Sequence, residues 1–378
     1  LLADYGADVI KVERPGPGDD TRAWGPPWFG DPAERMSAYY LSCNRGKRSV
    51  AVDIATAEGA ALVRQLAAEA DVLLENYKVG QLAKYGLDAK SLQAINPGLV
   101  YCSITGFGQD GPYAPNAGYD FAIQATGGLM SVTGEKDGTP GSQPQKVGVA
   151  VADLFTGVYA TTAILAALVE RGRTGRGRHI DAALLDTQVA MLANQASNYL
   201  VGGKTPKRMG NAHVNVVPYQ VFATRDGHIV LAIGNDGQFT RFCQLAGHED
   251  VARDPRYLSN DTRIAHRDEL IATMSPWLQQ RSTAEWTALL EPNAVPCAPI
   301  LALPEVFSHP QVRSRGMQIS AGEMPMVATP MRFDGQRPVA TQPPPRLDEH
   351  GDEVRRGHPH NGKPGAGRRA PDRQGPRR

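Results

Sequence analysis

The sequence predicts an α/β protein built on a parallel, doubly wound sheet. Two observations carry this. Short runs of branched apolar residues alternate with helical stretches through the first two hundred residues, the signature of strands joined by crossover helices. A composition with 41% apolar and 21% charged residues is that of a soluble globular chain with enough material for a large core. At 378 residues two domains are expected.

The elements follow in order. LLADYG reads as the last turns of a helix stopped by Gly6, the conformation only glycine adopts freely at a helix end. The chain thus opens inside an element, and an earlier part of that helix is expected to precede it. ADVIKVE is a short strand, followed by the turn-rich RPGPGDD and an aromatic loop, WGPPWFG. SVAVDI places Val50, Val52 and Ile54 on one side of a strand. AEGAALVRQLAAEA is a helix, and DVLLENY and GLVYCSITGF are buried strands. In a parallel sheet ligands sit beyond the carboxyl ends of the strands. Glu13, Arg14, Asn76, Tyr77, Lys78 and Gly106 to Gly108 fall there. Arg14 and Lys78 are cations suited to phosphate, or simply exposed loop charges.

Gly106 to Pro140 is rich in turns and contains AGYDFAIQATGG, a loop that can carry a site. Next comes KVGVAVADLFTGVYATTAILAALVER, whose first carboxylate, Asp153, is the only one before Glu170. Leu154, Val158, Thr161, Leu165 and Leu168 recur at steps of 4, 3, 4 and 3 and share one helical face. Asp153 precedes that face as a candidate N-cap. A carboxylate there is held ionised by the helix dipole and free N–H groups. It can serve as a cap alone or as an ionised nucleophile, and spacing leaves both open. ERGRTGRG closes the helix; a helix rather than a strand precedes its glycines, so it is no dinucleotide fingerprint. RHIDAAL returns as a strand and LLDTQVAMLANQASNYL continues as a helix.

From Gly202 to Pro218 the composition shifts to Gly, Lys, Asn and Pro, a linker or mobile loop. A second domain begins near Tyr219. VFATRDGHIVLAI is a hairpin around Asp226-Gly227. QFTRFCQLAG, HRDELIATMSPWLQQ and TAEWTALL are helical, and the proline-rich VPCAPILAL reads as the return crossing. Pro343 to Arg378 is rich in Pro, Gly and Arg with almost no large apolar residue after Val354, too little to order itself.

A net charge of +1 argues against a dedicated nucleic-acid binder, although residues from Gly351 onward carry +5. That tail lacks the interleaved aromatics of a single-strand binder. Cys43, Cys102, Cys243 and Cys297 lie far apart, which fits a reducing, cytoplasmic compartment and gives no zinc signature. No Walker A sequence, H-E-x-x-H pair or G-x-S-x-G elbow is present, no metal site is expected, and the apolar runs read as too interrupted to span a bilayer.

Several stretches taken together resemble the class III CoA-transferases, the CaiB–BaiF family that includes formyl-CoA transferase. They are LLADYGADVIKVERPGPGDDTR, NRGKRSVAVDI, ADVLLENYKVG, INPGLVYCSITGFGQDGPYA, AGYDFAIQATGGLMSVTG, VGVAVADLFTGVYA and TGRGRHIDAALLD. The resemblance runs from Leu1 to about Val354. It implies an interlocked, ring-like homodimer. In this layout residues 1–200 are the N-terminal part of a large Rossmann-like CoA-binding domain and 201–218 a linker and lid loop. Residues 219–298 form a smaller α+β domain, 299–345 a return segment, and 346–378 a disordered basic tail. A strand and a helix start carrying a Gln precede these motifs in the family.

The resemblance places Asp153 at the family's nucleophile. It would attack an acyl-CoA thioester, form a mixed anhydride, and then be converted by the CoA thiolate to an aspartyl-CoA thioester that a second acid reverses. The covalent route splits one exchange into easier steps and requires water to be kept out. CoA would be a substrate, with no permanently bound cofactor. Residues matching the family's CoA contacts are Arg14, Val52, Asp53, Ile54, Ala55, Asn76, Tyr77, Lys78, Lys84, Ala117, Gly118, Tyr119 and Asp120. The cations suit CoA phosphates and Tyr77 a stacked adenine. The lid matches Gly210 to Pro218, here GNAHVNVVP; without the family's run of glycines it argues against oxalate and formate. His213 and Asn215 in it, and Asn235 and Asp236 in IGNDGQF, are substrate-facing candidates.

An α-methylacyl-CoA racemase is the competing enzyme of this fold, with a His where Tyr119 stands. A tyrosine with an unperturbed pKa of about 10 is a poor base, which favours transfer. A non-catalytic CoA-binding member of the family is the third reading. Beyond Val354 the sequence departs from the family's apolar closing helix.

Overall fold

Branched residues at alternate positions build the strands and glycines set the turns between them. The computed structural model describes residues 1–357, and the chain separates into two compact units: residues 1–66 with the chain from Pro310 onward, and residues 67–309.

In the first unit LLADYG forms turns that close as expected of a helix end: Tyr5 N–H donates to Leu1 O at 3.0 Å, Ala7 N–H to Leu2 O at 3.0 Å, and Gly6 stands at φ +95°. Strand β1 (Val9–Glu13) pairs in parallel with β2 (Lys47–Ala51), Val12 opposite Val50. Helix α1 (Ala57–Glu69) follows, and its Leu62, Val63 and Leu66 pack with Val50 and Val52. Buried Glu13 accepts two hydrogen bonds from Arg22 at 2.8 and 2.7 Å and one from Ser49 Oγ at 2.6 Å. Burial alone would raise the Glu13 carboxyl; these donors hold it below its ordinary range.

In the second unit β3 (Val72–Glu75), β4 (Val100–Thr105) and β5 (His179–Ala183) form a parallel sheet in that order. Glu75 stands opposite Ser103, and Ser103 opposite Asp181. Parallel pairing is what the sequence reading expects, although Leu74 of β3 is exposed. Helix α2 (Asp120–Thr126) follows β4. The long α3 (Val151–Thr174) packs on β4 and β5 and stops at Gly175, φ +70°. By length and composition α3 is apolar enough to cross a bilayer, which the sequence reading did not anticipate.

The predicted helix after β5 is two, α4 (Leu184–Met191) and α5 (Ala193–Gly202). They break at Ala193, whose φ of 45° no α-helix accommodates.

The expected hairpin is present as β6 (Tyr219–Ala223) and β7 (His228–Ala232). VPCAPILAL is no return crossing: its β8 (Cys297–Pro299) pairs antiparallel with β7 and completes a three-stranded sheet. Helices α6 (Asp236–Ala246), α7 (Asn260–Ala265), α8 (Arg267–Leu278) and α9 (Thr283–Leu290) cover it. Phe222, Ile229, Phe239, Phe242, Trp277 and Trp286 share this core.

The chain then re-enters the first unit through the hairpin of Gln318–Ala321 with Met324–Val327. The expectation of disorder from residue 346 is corrected. Asp348 Oδ1 accepts from Ala51 N–H at 2.8 Å and Ser49 O from His350 N–H at 3.0 Å. Helix α10 (Gly351–Arg355) then buries Val354 against Val50 and Val52. The sequence offered a single apolar anchor, and backbone bonding to β2 does the rest. The rest of the basic tail lies outside the described residues.

Candidate active site

The site is built on a close approach of two glycines in the second unit. A Cβ on Gly106 would lie 2.4 Å from Gly118 Cα, and one on Gly118 2.5 Å from Gly106 Cα. Only a pair lacking side chains lets the 117–120 segment rest on the residue that follows β4. This places Tyr119 and Asp120 beyond the carboxyl end of that strand. Tyr119 is the N-cap of α2 and 76% exposed, open to a ligand.

Asp153 occupies the third helical position of α3, within its first turn, and Ala150 is the N-cap. The N-cap expectation for Asp153 is therefore corrected. Ala150 has no side-chain oxygen, and the missing acceptor comes from Asp120. Its Oδ1 takes the N–H of Ala152 at 2.8 Å and of Asp153 at 3.3 Å. Those N–H groups are among the free donors of a helix start. Asp120 Oδ2 accepts from Gln124 Nε2 at 2.6 Å, and Gln124 Oε1 from Val147 N–H at 2.9 Å. Gln124 is fully buried, so a satisfied polar chain fixes the start of α3. Sequence reading missed Gln124; its spacing of four from Asp120 on a short helix is the signal that was there.

The Asp153 side chain is thus relieved of capping and stands exposed at the helix start. Surrounding protein pushes its carboxyl above the ordinary range by desolvation, and the Asp120 charge adds to the push. The helix dipole opposes both and favours the anion. A carboxylate so placed is poorly stabilised by hydrogen bonds of its own and is accessible, as a nucleophile must be.

The other expected residues fall as follows. Asn76, Tyr77 and Lys78 are exposed beyond the carboxyl end of β3. Tyr77 N–H donates to Glu75 Oε2 at 2.8 Å. Lys84 and Ala117 are exposed as well. Among the described residues neither Lys78 nor Lys84 shows an ion pair to a carboxylate. Asn235 is spent as the N-cap of α6, accepting from Gln238 N–H at 2.9 Å. Asp236 Oδ1 accepts from buried Arg263 at 2.7 Å. His213 and Asn215 share the loop before Pro218, where Asn215 N–H donates to His213 Nδ1 at 3.1 Å.

Arg14 and Val52 to Ala55 belong to the first unit. Arg14 donates to Gly18 O at 3.0 Å and pairs with Asp20, so its guanidinium is partly engaged. Val52 is core, Ile54 packs beside it, and Asp53 Oδ1 takes the N–H of Ala55 at 3.0 Å. Val52, Asp53, Thr56, Glu58 and Arg355 line an open recess of about 360 Å³, at the small end of ligand sites. No His, Cys, Asp or Glu grouping able to hold a metal occurs among the described residues.

A family model described as CoA-transferase family III matches residues 1–351. The chain is 51% identical over 362 residues to the succinate–glutarate CoA-transferase of Agrobacterium fabrum, covering 94% of this chain and 89% of that protein. It is 42% identical over 354 residues to human succinyl-CoA:glutarate CoA-transferase, covering 92% and 79%. The acetyl-CoA:oxalate CoA-transferase of Acetobacter aceti is 37% identical over 361 residues, covering 94% and 90%. Among solved structures, a CaiB/BaiF family protein from Brucella suis superposes with a TM-score of 0.83 at 51% identity, covering 94% of this chain and 93% of that one.

Proposed function

The chain belongs to CoA-transferase family III, and on that premise we propose that it moves CoA from an acyl-CoA to a free acid through an aspartyl intermediate on Asp153. The observation that carries the reading is the division of labour at the start of α3. Asp120 bonds the free N–H groups, and Asp153 is left exposed beside them.

The chemistry balances without an added reagent. An Asp153 carboxylate oxygen attacks the thioester carbonyl, and the C–S bond breaks to release CoA thiolate and leave a mixed anhydride. The thiolate attacks the aspartyl carbonyl, freeing the first acid and leaving an aspartyl-CoA thioester. The second acid runs both steps in reverse. Thioester energy is conserved because no step admits water.

Short dicarboxylates are the proposed acyl groups. The succinate and glutarate enzymes named above support this, as does a loop, GNAHVNVVP, that offers His213 and Asn215 in place of a glycine run. Asn76, Tyr77, Lys78, Lys84 and Tyr119 in the second unit are proposed to meet CoA; Arg14 and Val52 to Ala55, which belong to the first unit, are CoA candidates on the family resemblance alone. The large parallel-sheet part is read as Rossmann-like, and the assembly as an interlocked homodimer. Support for the latter is the exposed apolar stripe Leu154, Phe155, Val158, Tyr159, Leu165 and Val169 on α3, a face too large to be left in water. The unpaired thiols support a reducing, cytoplasmic setting.

Incubation with succinyl-CoA followed by hydroxylamine and mass spectrometry tests the proposal. A hydroxamate at Asp153 that is absent from Asp153→Asn is expected. An unmodified Asp153 in protein that still exchanges CoA would overturn it.

A further inference from the structure

Lys146 opens the stretch that leads into α3 and has had no part in the site so far. Its backbone is fixed on both sides. Gln145 N–H donates to Thr133 O at 2.9 Å, and Val147 N–H donates to Oε1 of buried Gln124 at 2.9 Å. From Val147 the path to Asp153 is short. Gln124 Nε2 donates to Asp120 Oδ2 at 2.6 Å, and Asp120 Oδ1 accepts from Asp153 N–H at 3.3 Å. Three hydrogen bonds thus join the residue after Lys146 to Asp153. A lysine on so fixed a backbone loses less freedom on meeting a ligand than one on a free loop.

The side chain stays with this cluster. Its Nζ lies 6.0 Å from the centroid of the Phe121 ring, the outer reach of a cation–π contact, and donates to a neutral acceptor, Val147 O, at 3.3 Å. Phe121 follows Asp120 on α2 and is 56% exposed. An exposed lysine alone is ordinary. Here the other charges of the segment are engaged: Lys136 pairs with Asp268, and Asp137 with Arg208. Among the described residues Lys146 pairs with no carboxylate. An apolar ring and an ammonium group therefore stand open together beside the two site carboxylates. They match the two parts of a short dicarboxylic acyl group, whose methylenes favour apolar contact and whose far carboxylate favours a cation. A monocarboxylic chain of equal length would meet the ring and leave the ammonium unpaired.

We propose that Phe121 and Lys146 are the specificity-determining pair for the acyl group: the ring takes the methylenes, and the Lys146 ammonium takes the carboxylate that does not react. The proposal rests on the dicarboxylate reading given above and deepens it by naming the residues that make the choice. Lys146 forms no covalent bond and moves no proton. It discriminates because an acid without the second carboxylate leaves a cation desolvated with no partner.

Competition between two acceptors tests this in the full chain. Succinyl-CoA is given with equal concentrations of glutarate and pentanoate, and the ratio of glutaryl-CoA to pentanoyl-CoA is read by mass spectrometry. Both acids compete for the same enzyme form, so the ratio reports acceptor choice and not donor binding. In Lys146→Met it is expected to fall about tenfold, the effect of one charge-assisted hydrogen bond, and kcat/KM for glutarate alone should fall by the same factor. Lys146→Arg should restore most of both. Phe121→Ala should slow both products alike, because both acids carry the methylenes. An unchanged ratio or a native kcat/KM for glutarate in folded Lys146→Met would overturn the carboxylate role. A lower overall rate at an unchanged ratio counts against it too, since that pattern belongs to a lysine that meets CoA or supports the fold. A loss confined to glutaryl-CoA in Phe121→Ala would overturn the methylene role. Native protein that forms no glutaryl-CoA would overturn the dicarboxylate reading and the pair with it, whereas native transfer to glutarate with an unmoved ratio in Lys146→Met overturns the pair alone.

Discussion

Two carboxylates share the start of one helix and do different work. Asp120 is bonded to two backbone N–H groups and to Gln124, whereas Asp153 is pushed above the ordinary carboxyl range by desolvation and by the Asp120 charge. On the proposed route only the ionised Asp153 attacks, so activity is expected to fall as pH drops through its raised pKa. The acid limb of kcat/KM should therefore lie above the usual aspartate value of about 3.9. Asp120→Asn keeps an oxygen for the helix N–H groups but removes the like charge, and should move that limb to lower pH. A limb that stays put in a folded Asp120→Asn would sever the two groups. Asp120→Ala also removes the cap and should cost about 1 kcal/mol of stability by denaturant titration. The sequence made Asp153 conspicuous as the single acid of an apolar stretch. It could not show that the cap comes from 33 residues earlier, because capping is ordinarily local.

At the scale of elements, the site depends on a loop lying against the end of a strand. Gly118→Ala would press a methyl to within 2.5 Å of Gly106 Cα, and the 117–120 segment would have to lift. Overpacking of this kind costs about 1–3 kcal/mol. We expect a folded protein, by circular dichroism, whose transfer rate falls because Asp120 no longer reaches α3. A native rate in Gly118→Ala would show that this contact does not set the site. The strands of both parallel pairings, the long helix and the Asp226-Gly227 hairpin were legible from periodicity and turn chemistry. Three features were not. VPCAPILAL joins a sheet through pairing to β7, a long-range choice that its prolines masked. The break at Ala193 carries no Gly or Pro to mark it. Residues 348–354 order themselves through backbone bonds to β2 and one valine, which composition cannot register. Val354→Ala should cost about 1–3 kcal/mol as a core truncation, measurable by chemical denaturation. No loss would mean that the closing helix is only loosely attached.

For the molecule as a whole, the feature that sequence periodicity could not decide is where the apolar face of α3 goes. Leu154, Val158 and Leu165 share a stripe as read from spacing, but the stripe is exposed, and Ala152, Thr156, Ala160, Ile164 and Ala167 are buried instead. Mostly small residues face the sheet because the helix packs closely there, and the large ones form the face assigned above to the proposed homodimer contact. Val158→Asp should convert the proposed homodimer to monomer in sedimentation velocity, whereas an unchanged sedimentation coefficient would place the subunit contact elsewhere. The most direct test of the central claim follows one atom. After turnover of succinyl-CoA with glutarate labelled in its carboxylates with oxygen-18, the account predicts one labelled oxygen in the Asp153 carboxylate of the peptide recovered by mass spectrometry. Repeated turnover that leaves Asp153 unlabelled would contradict it.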